Sequence, residues 1–90
     1  MDGDIRKVIC RKWAIEILLI LDEDGAQNFS NIEAQIETSS DVVSKRLQEL
    51  VGADALSRDV RSPKDIRYHL TPTGKELLAL VEKIHHLLEK

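Results

Sequence analysis

Apolar residues recur along the chain with two different spacings, and the changes between them divide the sequence into helices and strands. The first segment repeats apolar residues every three or four positions from Ile5 to Leu21. This spacing predicts a helix with Asp4 as its N-cap and Gly25 at its end. The apolar surface of this helix is wide enough to be buried from more than one side.

A short capped helix and a second, longer capped helix are predicted next, with a polar turn between them. Ser30 and Glu33 form a capping-box pattern that opens a helix continuing through Ile36. The hydroxyl side chains of residues 38–40 are able to cap a following helix over Asp41 to Ala53. The apolar seam of this following helix consists of Val43, Leu47, Leu50 and Val51.

After this helix the spacing changes to the alternation that is typical of strands. Leu56 to Val60 and Arg67 to Leu70 alternate apolar and polar residues, and the turn sequence Ser62 to Asp65 joins them into a hairpin. Thr71 is the expected N-cap of a last helix, with Pro72 at its first position. The apolar stripe of this last helix consists of Leu77, Leu80, Val81, Ile84, Leu87 and Leu88.

The order of these elements predicts the fold. A short helix, a tight polar turn, a second helix and a hairpin make a helix-turn-helix with a wing. We therefore expect an α+β, mainly helical winged helix-turn-helix. A chain of 90 residues has room for one domain, which we expect over residues 1–90.

Composition narrows the class of protein. Apolar residues make up 42% and charged residues 32% of the chain, which indicates a folded protein rather than a disordered one. The longest apolar run, Ile17 to Leu21, is too short to cross a bilayer, and one cysteine cannot form an internal disulfide. We expect a cytoplasmic protein with no membrane partner. Because nucleophile motifs, glycine-rich phosphate loops and Cys-x-x-Cys pairs are absent, we expect neither an enzyme nor a cofactor.

Charge is distributed unevenly along the chain. A local basic segment keeps DNA binding possible although the net charge of the chain is negative. The net charge is −3, and residues 22–40 contain five acidic residues and no basic one. The predicted hairpin instead carries four cations that would contact DNA phosphates from the wing. These cations are Arg58, Arg61, Lys64 and Arg67. The alternative is a hairpin whose charges only protect an exposed strand edge from pairing with other chains.

The outer face of the Asp41–Ala53 helix is the candidate for reading DNA bases. This face presents Ser40, Asp41, Ser44, Lys45 and Gln48. Serine, lysine and glutamine side chains are able to hydrogen-bond base edges in the major groove of duplex DNA. The alternative is an ordinary solvated face, because it carries a single positive charge. Arg46 is expected at the edge of the seam, in contact with a phosphate or an acidic neighbour.

The apolar stripe of the last helix extends further than one small domain can cover. Its first turns must pack on the domain, but beyond Leu80 little of the chain remains to bury it. We therefore expect a homodimer seam between the terminal helical segments of two copies, which suits DNA sites made of paired half-sites. The expected interface residues are Ile5, Val8, Ile9, Val81, Ile84, Leu87 and Leu88.

Two further groups of residues are candidates for redox chemistry and metal binding. Cys10 lies beside Arg11 and Lys12 and is a candidate redox-sensing thiol, although a lone cysteine is more often an inert, buried apolar residue. The last helix also contains metal-site spacing at Glu82, His85, His86 and Glu89. A single copy of that pattern favours a solvated face, so we expect no bound metal.

Four stretches of the sequence match the pattern of a known family in order and spacing. Val8 to Leu18 is similar to an opening motif built around a tryptophan, and Phe29 to Ile32 is similar to the start of a first helix-turn-helix element. Lys45 to Leu50 resembles a recognition-helix core, and Tyr68 to Gly74 resembles the end of a wing. Together they resemble the HxlR-type winged-helix regulators. The resemblance implies a sequence-specific regulator of transcription that binds double-stranded DNA as a homodimer and acts as a repressor.

Two positions depart from the family pattern. Cys10 and Arg11 stand where the family has paired glycines, so the sequence leaves open whether the chain breaks before the helix that contains Trp13. Asp54 stands where a glycine usually ends the recognition helix, and aspartate is able to adopt the same left-handed backbone.

Two other functions stay open at this point. A winged helix that docks protein partners and hardly touches DNA would suit the acidic total and Asp41 on the candidate reading face. A metal-responsive regulator would use the histidines of the last helix.

Overall fold

The fold combines helices with one small antiparallel sheet, in a computed structural model that describes residues 7–89. The elements are α1 (Ala14–Asp24), β1 (Gln27–Asn28), α2 (Phe29–Ala34), α3 (Ser40–Gly52), β2 (Leu56–Ser62), β3 (Asp65–Leu70) and α4 (Pro72–Leu88). Strand β3 lies between β1 and β2 in the sheet. Helices α2 and α3 form the helix-turn-helix and strands β2 and β3 form the wing, so the predicted winged helix-turn-helix is confirmed.

The start of α1 differs from the prediction. The periodic segment predicted a helix from Ile5 onward, whereas residues 7–13 form turns and bends and α1 begins only at Ala14. Trp13 has a left-handed backbone with a φ of 75°, which ends any helical run before it. The chain therefore breaks here without a glycine. Gly25 ends α1 as predicted, with its N–H donating to the carbonyl of Leu21.

The start of α2 also differs, because the capping-box prediction is wrong. The N-cap is Asn28 rather than Ser30, and the Asn28 side chain accepts a hydrogen bond from the N–H of Asn31 at 2.9 Å. Asn28 is also the last residue of β1 that pairs with β3, so the helix begins where strand pairing stops. Glu33 accepts a hydrogen bond from the hydroxyl of Ser40 in α3 instead.

Helix α3 lies one residue earlier at each end than the predicted Asp41 to Ala53, and a hydroxyl side chain caps it as predicted. The Ser39 hydroxyl caps its first turn by accepting a hydrogen bond from the N–H of Val42. Just beyond the helix, Asp54 adopts a left-handed backbone with a φ of 63°, as the family's glycine would. The buried residues of its seam are Val43, Leu47 and Leu50.

The two wing strands and β1 pair antiparallel in one sheet. Leu56 lies opposite Leu70 and Arg58 opposite Tyr68, with an irregularity near the tip of the hairpin. On the other side of β3, Gln27 pairs with Tyr68, so the two-residue strand β1 completes the sheet. Side chains at paired positions share a face, which places the Arg58 and Tyr68 side chains together.

Helix α4 starts at a close approach between two backbone segments. Thr71 caps the helix by accepting a hydrogen bond from the N–H of Gly74 at 3.0 Å, and Pro72 occupies the first helical position. A Cβ atom at Gly74 would lie 2.2 Å from the carbonyl oxygen of Ala55. Only glycine allows α4 to pack this closely against the residue that precedes β2.

The core is apolar and draws on every helix. Its largest fully buried side chains are Ile17, Leu18, Ile32, Leu47, Leu50, Leu56 and Val43. Leu78 is the α4 residue buried in it, although the predicted stripe names the half-buried Leu77 instead. Ile9, expected at a dimer seam, is 6% exposed and packs inside this core, so it offers a partner almost no surface.

Candidate nucleic-acid interface

The outer face of α3 is polar, as predicted. Asp41, Lys45 and Gln48 are exposed and Ser44 is half-buried, and none of these four side chains has a hydrogen-bond or ion-pair partner among residues 7–89. Ser40 is also exposed, but its hydroxyl already donates to the carboxylate of Glu33. The available side-chain groups of α3 therefore begin at Asp41, the second residue of the helix.

A groove of about 550 Å³ separates α3 from the wing and joins two sets of predicted residues. It is lined by Ser44, Gln48, Val51, Gly52, Arg58 and Tyr68. No carboxylate lines it, so Arg58 gives it a positive charge without a competing negative one. Ser44 and Gln48 form the α3 wall, and Arg58 and Tyr68 form the wing wall. We call this the helix–wing groove.

Tyr68 is a residue of the helix–wing groove that the sequence analysis did not single out as a site residue. Its position follows from the strand register, because it is the cross-strand partner of Arg58. The alternation along β3 could have found it, since Tyr68 and Leu70 share the face of the sheet that packs against the core.

The four wing cations fall into two classes. Arg61 pairs with Asp59 at 3.3 Å and Arg67 pairs with Asp65 at 3.1 Å, each across one intervening residue. Arg58 and Lys64 have no carboxylate partner within residues 7–89. A DNA phosphate could therefore bind Arg58 and Lys64 directly, whereas Arg61 and Arg67 would first have to separate from their carboxylates. Because these ion pairs are largely exposed to solvent, each is weak.

Arg46 faces the protein rather than solvent. Its Nε donates to the carbonyl oxygen of Lys12 at 2.9 Å, and its Nη1 lies 2.6 Å from Oε1 of Glu49. The side chain is 15% exposed. Of the two partners that the sequence left open for Arg46, the acidic neighbour is the one present in the structure.

The second half of α4 exposes a row of large apolar side chains. Leu80 is 55%, Ile84 57%, Leu87 64% and Leu88 81% exposed, while Val81 is half-buried. Val8 is half-buried against the core as well. Ile5, the remaining residue of the predicted seam, lies outside the described residues, as does Asp4.

The candidates for redox and metal chemistry are separate from this interface. Cys10 is exposed, so its interpretation as a buried apolar residue is wrong, while a redox role stays a hypothesis. His85 lies 2.8 Å from a carboxylate oxygen of Glu89. Within the described chain no three His, Cys, Asp or Glu side chains converge on a common metal position. Every helix among residues 7–89 is too short or too polar to span a lipid bilayer.

Comparison with known proteins adds a family to this geometry. The family model for the HxlR-like helix-turn-helix matches residues 8–90. The protein MJ0944 of Methanocaldococcus jannaschii is 36% identical over 83 residues, which cover 86% of this chain and 69% of that protein. The HTH-type transcriptional regulator YvaP of Bacillus subtilis is 36% identical over 80 residues, which cover 86% of this chain and 73% of YvaP.

A solved structure shares both the fold and part of the sequence. The reduced form of the transcriptional regulator YodB from Bacillus subtilis superimposes with a TM-score of 0.76 at 26% identity. The match covers 89% of this chain and 80% of the YodB chain.

Proposed function

The chain belongs to the HxlR-like helix-turn-helix family of transcriptional regulators, a membership that implies DNA binding, and we propose that it binds double-stranded DNA sequence-specifically, as a homodimeric repressor. In this proposal α3 enters the major groove and reads base edges with Ser44, Lys45 and Gln48. The wing cations Arg58, Arg61, Lys64 and Arg67 contact phosphates on either side. Ser40 and Asp41 lie at the entry of α3, beside the DNA.

The helix–wing groove is the observation that carries the DNA-binding proposal. Gln48 provides both a donor and an acceptor, and two such groups are needed to distinguish one base pair from another. Arg58 stands across the groove and supplies the cation that a neighbouring phosphate requires. The absence of carboxylates from its lining means that a DNA strand would meet no repulsive charge there.

The test is a binding titration with two labelled duplexes followed by fluorescence anisotropy. One duplex is the gene's own upstream region and the other is a scrambled sequence of the same length and composition. We expect tighter binding to the upstream duplex, and weaker binding to both as the salt concentration rises. Equal binding to both duplexes would contradict sequence specificity. No binding at low salt would contradict the function and favour the protein-docking module.

We propose that a second copy of the chain covers the exposed apolar face of α4. Ile84, Leu87 and Leu88 lie on one side of the helix, and a twofold axis would place the same side chains of both copies against each other. Val81 and Val8 would border the contact, while Ile9 supports it from the core. The chain would then be a single winged helix-turn-helix domain over residues 1–90, with its terminal segments at the dimer seam.

The dimer is tested by measuring molar mass in solution by sedimentation equilibrium, with Ile84→Asp as the disruptive variant. Two opposed aspartates in an apolar contact should raise the dimer dissociation constant at least about tenfold. His86→Asp places the same side chain on the opposite, solvated side of α4 and should leave the dimer intact. A wild-type protein that sediments as a monomer, or equal effects of the two substitutions, would contradict the interface.

Repression is proposed because a dimer bound over two half-sites would block polymerase from the DNA it covers. We also propose that the protein acts in the cytoplasm. Transcription in vitro from the upstream region should fall as the protein is added, and Gln48→Ala should restore it. A rise in transcription would identify an activator instead.

A further inference from the structure

The side of α3 opposite the helix–wing groove is tied to the segment that precedes α1. Helical spacing places Arg46 across the helix axis from Ser44 and Gln48, with Glu49 on the neighbouring flank, beside Lys45. Arg46 binds the Lys12 carbonyl oxygen and Oε1 of Glu49, as described above. The second oxygen of Glu49 lies 3.1 Å from Nε of Arg11. We call these contacts of Arg11, Lys12, Arg46 and Glu49 the α3 anchor.

The α3 anchor holds a part of the chain whose backbone is already constrained. Lys12, whose carbonyl accepts the bond from Arg46, directly precedes the left-handed Trp13. The single Nε–H of Arg11 donates to the carbonyl oxygen of Lys7 at 2.7 Å, so the contact of Arg11 with Glu49 is an ion pair. Residues 7–13 are therefore fixed at several points, although they form no regular helix.

The physical roles of the anchor and of the apolar seam differ. The seam residues of α3 keep the helix on the core, but apolar contacts have no strong directional preference and tolerate small rotations of a helix. Charge-assisted hydrogen bonds are directional, and a guanidinium that binds two acceptors fixes the position of both. The anchor therefore sets the rotation of α3 about its own axis, which decides where Ser44 and Gln48 point.

We propose that Arg46 and Glu49 are positioning residues, which use the segment Lys7–Trp13 as a fixed support to set how α3 meets DNA. A change in that segment then alters DNA recognition without touching the face of α3 that reads it. The consequence for recognition rests on the proposed DNA-binding function, whereas the link between the segment and α3 does not.

Glu49→Gln tests the proposal because positioning and simple charge predict opposite results. Removing a negative charge would by itself tighten binding to both the upstream and the scrambled duplex. Loss of positioning should instead weaken binding to the upstream duplex about fivefold and leave the scrambled duplex almost unchanged. Glu76→Gln, on the exposed surface of α4, removes the same charge outside the anchor and is the control. Tighter binding of Glu49→Gln to both duplexes would overturn the proposal.

A double-mutant cycle and a charge-preserving variant separate the anchor from general electrostatics. Once Glu49→Gln has removed the shared partner, adding Arg11→Gln should have little further effect on the preference for the upstream duplex. Arg46→Lys retains the charge but cannot hold two acceptors in a fixed fork, so it should lower the preference as Glu49→Gln does. Additive effects of Glu49→Gln and Arg11→Gln on the preference for the upstream duplex would overturn the proposal. A wild-type preference in Arg46→Lys would overturn it as well.

Amide hydrogen exchange without DNA examines the link independently of the proposed function. In Glu49→Gln the amides of α3 should exchange faster, while those of α4 retain the wild-type rates. A uniform change of exchange rates in all elements would indicate a loss of global stability. Unchanged rates in α3 would indicate that the segment Lys7–Trp13 and α3 are not linked. Either result would overturn the proposal. If wild type binds neither duplex, the DNA-binding function fails while this measurement still decides the link.

Discussion

Helices α3 and α4 are the two longest helices of the described chain, and they place their apolar residues in opposite environments. In α3 three of the four seam residues are buried, with Leu47 and Leu50 at most 1% exposed, and the outer face is polar. In α4 only the first turns are covered, where Leu78 is 4% exposed, while Leu87 near its end is 64% exposed.

This difference shows that helical apolar spacing does not reveal what covers the apolar face. The two helices have equally regular patterns, but α3 lies between α1 and the wing, whereas the end of α4 extends past the elements that pack on its start. The polar face of α3 is suited to a polar ligand such as DNA. The apolar face of α4 is suited to an apolar surface, for which we propose a second copy.

The largest expected effect comes from truncating equivalent leucines in the two helices. Leu47→Ala should lower the free energy of unfolding by about 3 kcal/mol at every protein concentration, because it leaves a cavity in the core. Leu87→Ala should lower it only at concentrations where the dimer is populated. Urea denaturation at two protein concentrations measures both. A concentration-independent loss in Leu87→Ala would show that Leu87 supports its own protomer.

Two glycines provide a smaller contrast between the start of α4 and the end of α3. Gly74→Ala should lower the free energy of unfolding by about 2 to 3 kcal/mol, because the added Cβ meets the backbone carbonyl of Ala55, which cannot move aside freely. Gly52→Ala has no atom within 4 Å of the new Cβ and should be neutral or stabilising by about 0.5 kcal/mol. Thermal unfolding of both variants is the measurement. A tolerated Gly74→Ala would mean that α4 is not docked as closely as described.

The smallest expected effect distinguishes two cations of the wing, Arg58 and Arg61. Arg58→Ala should weaken binding to the upstream duplex about fivefold and reduce the salt slope by about one, because Arg58 is available in the helix–wing groove. Arg61→Ala should have a smaller effect, since Asp59 already neutralises part of its charge. Anisotropy titrations at several salt concentrations compare them. Equal salt slopes for the two variants would show that breaking the Arg61–Asp59 ion pair costs no free energy when DNA binds.

Much of the fold was predictable because its signals are local. Ser39 before α3 and Thr71-Pro72 before α4 satisfy backbone N–H groups within a few residues, so their sequence positions suffice to locate helix starts. The alternation of the wing strands and the proline-containing turn between them act over equally short distances. The five predicted residues of the α3 outer face follow from the same helical period.

Two of the wrong predictions involve partners that lie far away in sequence. Asn28 caps α2 in place of Ser30 because pairing with β3 decides where the strand stops. Leu78 replaces Leu77 in the core because the approach of Gly74 to Ala55 sets the rotation of α4.

The sequence by itself determined the order of the helix-turn-helix, the wing and the last helix, the caps of α3 and α4, and their polar and apolar faces, because these depend on neighbours within one or two turns. Tertiary structure alone decided that Trp13 breaks the first helix, that Arg46 anchors α3 to Lys12, and that Arg58 shares a groove with Gln48. The last two depend on residues 34 and 10 positions apart, and no short pattern in the chain encodes which distant groups will meet.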